Sequence, residues 1–91
     1  MKNATMLDAG NGIEREIELI SVLRGGEQVL LAIYDERPLS KIAAEYEGCA
    51  VLTKRSERQP NVKEVFEGYT QLVSIQRSAP GEMVRIVLAK A

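Results

Sequence analysis

Apolar and polar positions alternate most clearly toward the end of this chain. Val84, Ile86 and Leu88 fall at every second position between Met83 and Ala89, the two-residue period of a strand with one buried face. Ala79-Pro80-Gly81 stands before them, proline presetting φ and glycine accepting a positive value, so a turn is expected there. The arm entering that turn is expected to run from about Val62 to Arg77. Tyr69, Val73 and Ile75 share one face of it, and Gly68 marks a bulge or bend.

A second hairpin is expected near the other end. Gln28-Val29-Leu30-Leu31-Ala32-Ile33-Tyr34 is rich in strand formers and apolar on both faces. Gly25-Gly26 before it tolerates the positive φ of a type I′ turn. Folding about the two glycines sets Val22 opposite Val29 and Ile20 opposite Leu31. The partner arm, Ile13 to Leu23, fits two templates. Glu16-Ile17-Glu18-Leu19 alternates as a strand, whereas Ile13, Ile17, Ile20 and Arg24 follow helical spacing, with Asn11 as a cap and Gly25 as a stop. The coherent cross-strand pairs favour the strand.

Between these hairpins lies the clearest helix, Pro38 to Glu47. Leu39, Ile42, Ala43 and Tyr46 recur at spacings of three and four, while Lys41, Glu45 and Glu47 lie off that stripe. Pro38 suits a first turn and Gly48 a C-terminal stop. A helix of this length does not persist alone, so it must lie on a sheet. Cys49 to Thr53 reads as a short strand, and Lys54 to Asn61 as a polar connection ended by Pro60. Residues 1–12 read as a flexible N-terminal leader, because Gly10-Asn11-Gly12 is a turn signal with nothing periodic before it. Residues 13–91 are therefore expected to form one α+β domain, mainly antiparallel, in the order β-β-α-β-β-β. A helical first segment gives α-β-α-β-β-β instead.

Composition narrows the setting. The 91 residues suit a single domain, and about two-thirds of the surface of the unfolded chain can be hidden at this size. With 45% hydrophobic and 27% charged residues this is ordinary globular material, and with only Phe66, Tyr34, Tyr46 and Tyr69 as aromatics its core must be aliphatic. Cys49, alone, forms no internal disulfide, no apolar run reaches the ~20 residues that span a bilayer, and the N-terminal residues lack a signal peptide's apolar stretch. These absences point to a soluble protein of the reducing cytoplasm.

The chemistry expected is sparse. The chain has no histidine, which removes the usual neutral-pH base, the commonest metal ligand and every Ser-His or Cys-His dyad. Asp35 and Glu36 are adjacent and would point to opposite faces of a strand end. Glu14, Glu16 and Glu18 could gather charge or a hard cation, but a solvated outer face is the preferred reading, as it is for Glu64 and Glu67 beside Phe66. Cys49, between a helix stop and an apolar run, reads as a small buried hydrophobe. Gly10-x-Gly12 follows no strand and has Arg15 where a dinucleotide loop needs its third glycine. No catalytic, cofactor-binding or metal residue is therefore expected.

Two binding surfaces remain. Lys54, Arg55, Arg58 and Lys63 concentrate positive charge near Phe66 and Tyr69, a weak pattern for nucleic acid in a chain of net charge -1. The preferred expectation is a non-catalytic interaction or structural module without a cofactor. It would contact a protein partner or a second copy through an exposed sheet edge at Met83, Arg85 and Val87. A larger assembly, of the kind phage and prophage particles build from small β-rich parts, would be its setting. Nucleic acid and membrane are not the expected partners.

Overall fold

The computed structural model describes residues 4–91. Its strands are β1 (Thr5–Asp8), β2 (Glu14–Leu23), β3 (Gln28–Ile33), β4 (Val51–Ser56), β5 (Gln59–Glu67), β6 (Gln71–Arg77) and β7 (Val84–Ala89), with one helix, α1 (Leu39–Tyr46), between β3 and β4. The strands form one sheet in the order β5-β4-β1-β2-β3-β7-β6. Every neighbouring pair is antiparallel. The expected class, a small and mostly antiparallel domain with one helix, agrees with this; the expected strand order does not in three places.

The first difference is at the N-terminus. Thr5–Asp8, taken as part of a leader, is a strand paired on both edges, to β2 and to β4, and Leu7 is fully buried. Residues 1–3 of that leader lie outside the described residues. Four residues are too few to show an alternation, and β1 gains its place from its neighbours rather than from its own pattern. The Asp8 side chain then shapes the loop to β2, accepting from the backbone N–H groups of Gly10, Asn11 and Gly12 at 2.7, 3.1 and 3.2 Å. Such Asx capping is a local reason for a turn after a short strand.

The second is the polar stretch from Lys54 to Asn61. It is no loose connection but the head of a hairpin: Lys54–Ser56 belongs to β4, Glu57-Arg58 makes the turn, and β5 begins at Gln59. Arg55 pairs with Lys63 while Ser56 pairs with Gln59, so residues 60–62 bulge from the ladder. Pro60, which has no N–H to give, sits where no ladder bond is asked of it.

The third is the arm expected from Val62 to Arg77. It divides at Gly68, whose φ of 85° ends β5. Gly68-Tyr69-Thr70 then carries the chain from one edge strand of the sheet to the other. Laid flat, seven strands would set those edges ~29 Å apart at ~4.8 Å per step. Three linking residues reach at most ~15 Å. The sheet must therefore coil, in keeping with extents of 32 × 30 × 23 Å.

The two expected hairpins are present. Val22 faces Val29 and Ile20 faces Leu31. Gly25 (φ 65°, ψ 25°) and Gly26 (φ 98°) make the type I′ turn, closed by the Glu27 N–H donating to the Arg24 carbonyl at 3.3 Å. Segment 14–23 is thus a strand, with a register shift between Ile17 and Leu19 that makes Glu18 a bulge. In β7, Val84, Ile86 and Leu88 are all buried.

The concave side of the sheet holds the core. Val29, Leu31 and Ile33 of β3 lie beside Leu88, Ile86 and Val84 of β7, and Leu7, Ile17 and Leu52 continue the layer. Each such side chain contributes about 1.5–3 kcal/mol by leaving water. Helix α1 covers this layer with Ile42 and Tyr46, both fully buried, while Leu39 packs at its margin. At the end of α1 the Gly48 N–H donates to the Thr70 carbonyl at 2.9 Å, joining the helix exit to the start of β6. Among the described residues no helix is long and apolar enough to cross a membrane.

Candidate interaction surface

The expected contact edge is not an edge. β7 lies between β3 and β6, and both its sides are used in ladders. Arg85 and Val87 point to the convex face, opposite Ala32 and Leu30, and Met83 lies in the turn that precedes β7. The correction follows from Gly68: once the chain crosses there, β6 rather than β7 becomes the last strand on that side.

The two true edges, β5 and β6, differ in what covers them. Beside β6 runs the segment from Asp35 through α1 to Gly48. The Arg77 guanidinium donates to the Asp35 and Arg37 carbonyls at 2.7 and 2.8 Å, the Thr70 carbonyl accepts from Gly48, and Leu72 and Ile75 pack against the core. Among the described residues β5 has no such cover. All nine of its residues except Phe66 are exposed, Val62 at 63% and Val65 at 53%. Its register with β4 sets Phe66 beside the buried Leu52, on the core side, and turns Lys63, Val65 and Glu67 to the convex face with Arg55, Thr53 and Val51.

This geometry disperses the basic quartet. Lys54 and Arg55 are neighbours on one strand and so face opposite sides. Lys54 pairs with Glu64 at 3.3 Å and Arg55 with Glu14 at 2.6 Å. Arg58 occupies the turn, and Lys63 flanks Arg55 across the ladder. The aromatics nearby are engaged elsewhere: Phe66 packs against the core, and the Tyr69 hydroxyl donates to the Gly26 carbonyl at 2.6 Å while Lys90 stands 5.3 Å from its ring centre. No flat stacking platform beside a cationic loop results.

The acidic trio and the cysteine also find structural partners. Glu14 holds Arg55, and Glu18, at the bulge, accepts from the Tyr34 hydroxyl. Among the described residues no group of three or more acidic, cysteine or histidine side chains could hold a metal ion. The Cys49 thiol is buried, 3.0 Å from the Val51 carbonyl and also against that of Ala9. Burial pushes its pKa up, away from the thiolate a nucleophile needs.

The densest polar group in the molecule was missed by motif reading. Arg37 forks onto Asp35, at 2.6 Å for Nη2 to Oδ2 and 3.0 Å for Nε to Oδ1, and its Nη2 also reaches Glu45 at 3.1 Å. Arg15 meets the same Glu45 carboxylate at 3.0 Å. The Asp35 and Glu45 side chains are only 4% and 8% exposed, so each needs these partners. The Arg37 hydrogen bond holds the Asp35 carboxyl below its ordinary pKa. Burial pushes Glu45 up, but the hydrogen bonds from Arg15 and Arg37 outweigh it and leave its pKa lowered. All four carboxylate oxygens accept hydrogen bonds from guanidinium groups. The cluster clamps the β3–α1 connection and the helix onto the sheet.

Its signal was present in the alternation. Arg15 is in phase with Ile17, and Arg77 with Ile75, so two arginines occupy core-facing positions and demand buried acceptors. Two of the hollows in the surface are open and shallow. One of about 590 Å³ is lined by Glu36, Leu39, Arg77 and the Ala79-Pro80-Gly81 turn, and it contains neither Cys49 nor the buried carboxylates.

No family model, curated protein or solved structure matches this chain.

Proposed function

We propose that this chain is a non-catalytic interaction module that joins another protein chain by strand addition along the free edge of β5. The observation that carries this reading is the contrast between the edges: β6 is strapped at both ends by the segment 35–48, whereas among the described residues nothing straps β5, which is exposed at every position but Phe66. An unpaired strand edge offers a row of N–H and C=O groups to any extended segment, and natural proteins that do not use one cover or blunt it. Here the 60–62 bulge and Pro60 blunt one end of it, and Lys63 to Glu67 remain paired to β4 on one side and, apart from Phe66, exposed.

The test uses an extended peptide of alternating threonine and valine, capped with lysine for solubility, titrated into the labelled protein. The reading expects amide shifts confined to β5 and β4, with slowed hydrogen exchange at 63–67. Shifts absent up to about millimolar peptide, near the weak limit of specific recognition, or centred on another surface, refute it.

A further inference from the structure

We infer that the chain added at β5 is a second copy of this protein, paired antiparallel about a two-fold axis through Val65. The inference rests on the strand-addition reading above and names its partner. On the convex face β5 presents Lys63, Val65 and Glu67 in line, a cation, an apolar residue and an anion two residues apart. Among the described residues neither Lys63 nor Glu67 has an ion pair within its own chain, unlike Lys54, Arg55 and Glu64 around them.

An antiparallel two-fold pair that continues the sheet sets residues of the same face opposite each other. Centred on Val65, it places Val65 against the second Val65, Lys63 against the second Glu67 and Glu67 against the second Lys63. Phe66 and Glu64 face each other on the other side. Shifting the centre by one residue loses this match. Centred on Glu64, two carboxylates meet; centred on Phe66, Glu67 faces Val65. Centred on Lys63, two ammonium groups meet. Opposite charges across a ladder stabilise and like charges destabilise, so the Val65 register is the one selected. The bulge at 60–62 ends the usable segment on one side and Gly68 ends it on the other. The interface is short and belongs among weak, concentration-dependent ones.

The experiment is sedimentation of the full chain from about 10 µM to about 1 mM, a span that brackets weak association, on four samples. The wild type is expected to pass from monomer to dimer. Lys63→Glu alone and Glu67→Lys alone each turn two attractive pairs into two repulsive ones and should weaken the dimer about tenfold or more. An equimolar mixture of those two variants should recover wild-type association as a heterodimer, because each then carries the charges the other lacks. Both positions are exposed, so folding is not at stake, and circular dichroism of each variant checks it. A wild type that stays monomeric overturns the second-copy partner while leaving strand addition to be judged by the peptide titration. A dimer indifferent to both reversals, with exchange protection away from 63–67, overturns both.

Discussion

The Tyr46 side chain lies wholly inside the core, and no group among the described residues stands within hydrogen-bond reach of its hydroxyl. Burial, with the Glu45 charge adding to it, drives the phenol's pKa upward, so the proton stays on and the group must be accommodated as a neutral donor. Tyr46→Phe removes one oxygen and keeps the ring. Burying an unpaired hydroxyl costs about 1–3 kcal/mol on the scale of protein substitutions. The gap left behind is on the order of 10 Å³, worth about 0.2–0.3 kcal/mol at ~24 cal/mol per Å³. The balance favours phenylalanine by about 1–2 kcal/mol, opposite in sign to the usual cost of ~1 kcal/mol for a core change. Urea titration at neutral pH should show a higher midpoint with an unchanged slope, and a thermal midpoint raised by about 4–8 °C per kcal/mol in a domain of this size. A lower midpoint for the variant would falsify the argument, because it would mean that the hydroxyl is hydrogen-bonded inside the folded protein.

Three further outcomes follow from the same packing. Glu45→Gln leaves Arg15 and Arg37 facing a neutral amide, and should cost about 1–3 kcal/mol, between exposed and buried ion pairs. Asp35 and Glu45 have folded pKa values below their ordinary 3.8 and 4.5, so their contribution is present above those values and drains away as pH falls through the lowered ones. Urea midpoints measured from neutral pH downward should therefore fall less steeply in Glu45→Gln than in the wild type; parallel curves would refute this. Cys49 should react slowly with a thiol reagent in the native protein and rapidly once urea unfolds it, and equal rates would contradict its burial. Gly25→Ala, forced to hold φ near 65°, should cost about 1–2 kcal/mol, read as a lower urea midpoint.

How much of this was legible depends on whether the chain kept its phase. Where alternation runs unbroken, as in Val84-Arg85-Ile86-Val87-Leu88, the buried face was read correctly, and the Gly25-Gly26 turn fixed the register of β2 against β3 from Leu23 back to Leu19. The ambiguity in 13–23 has a physical cause. The bulge at Glu18 brings Ile17 and Ile20 to the same face although they are three residues apart, which is a helix-like spacing made by a strand. A second register shift, between Leu72 and Ser74, turns Val73 outward and puts Leu72 and Ile75 together. The edge was misplaced for a different reason. Which strand is last in a sheet depends on a crossing at Gly68 and on β1 accepting β4, and neither leaves a mark in local pattern. The Asp35, Arg37, Glu45 and Arg15 clamp was hidden because its members are far apart in sequence, although arginines in core phase were a usable warning.

The position of β1 also bears on how the chain is made. Residues 5–8 leave the ribosome long before 51–56, so β1 can pair with residues 14–17 of β2 early while its other side stays bare until residues 53–56 of β4 have been added. During that interval the growing chain carries a naked central strand beside the apolar β2–β3 hairpin, a combination prone to capture by neighbouring chains. Docking of the β4–β5 hairpin ends that exposure and moves the open border outward to β5, where Lys63, Glu64 and Glu67 stand among the exposed Val62 and Val65.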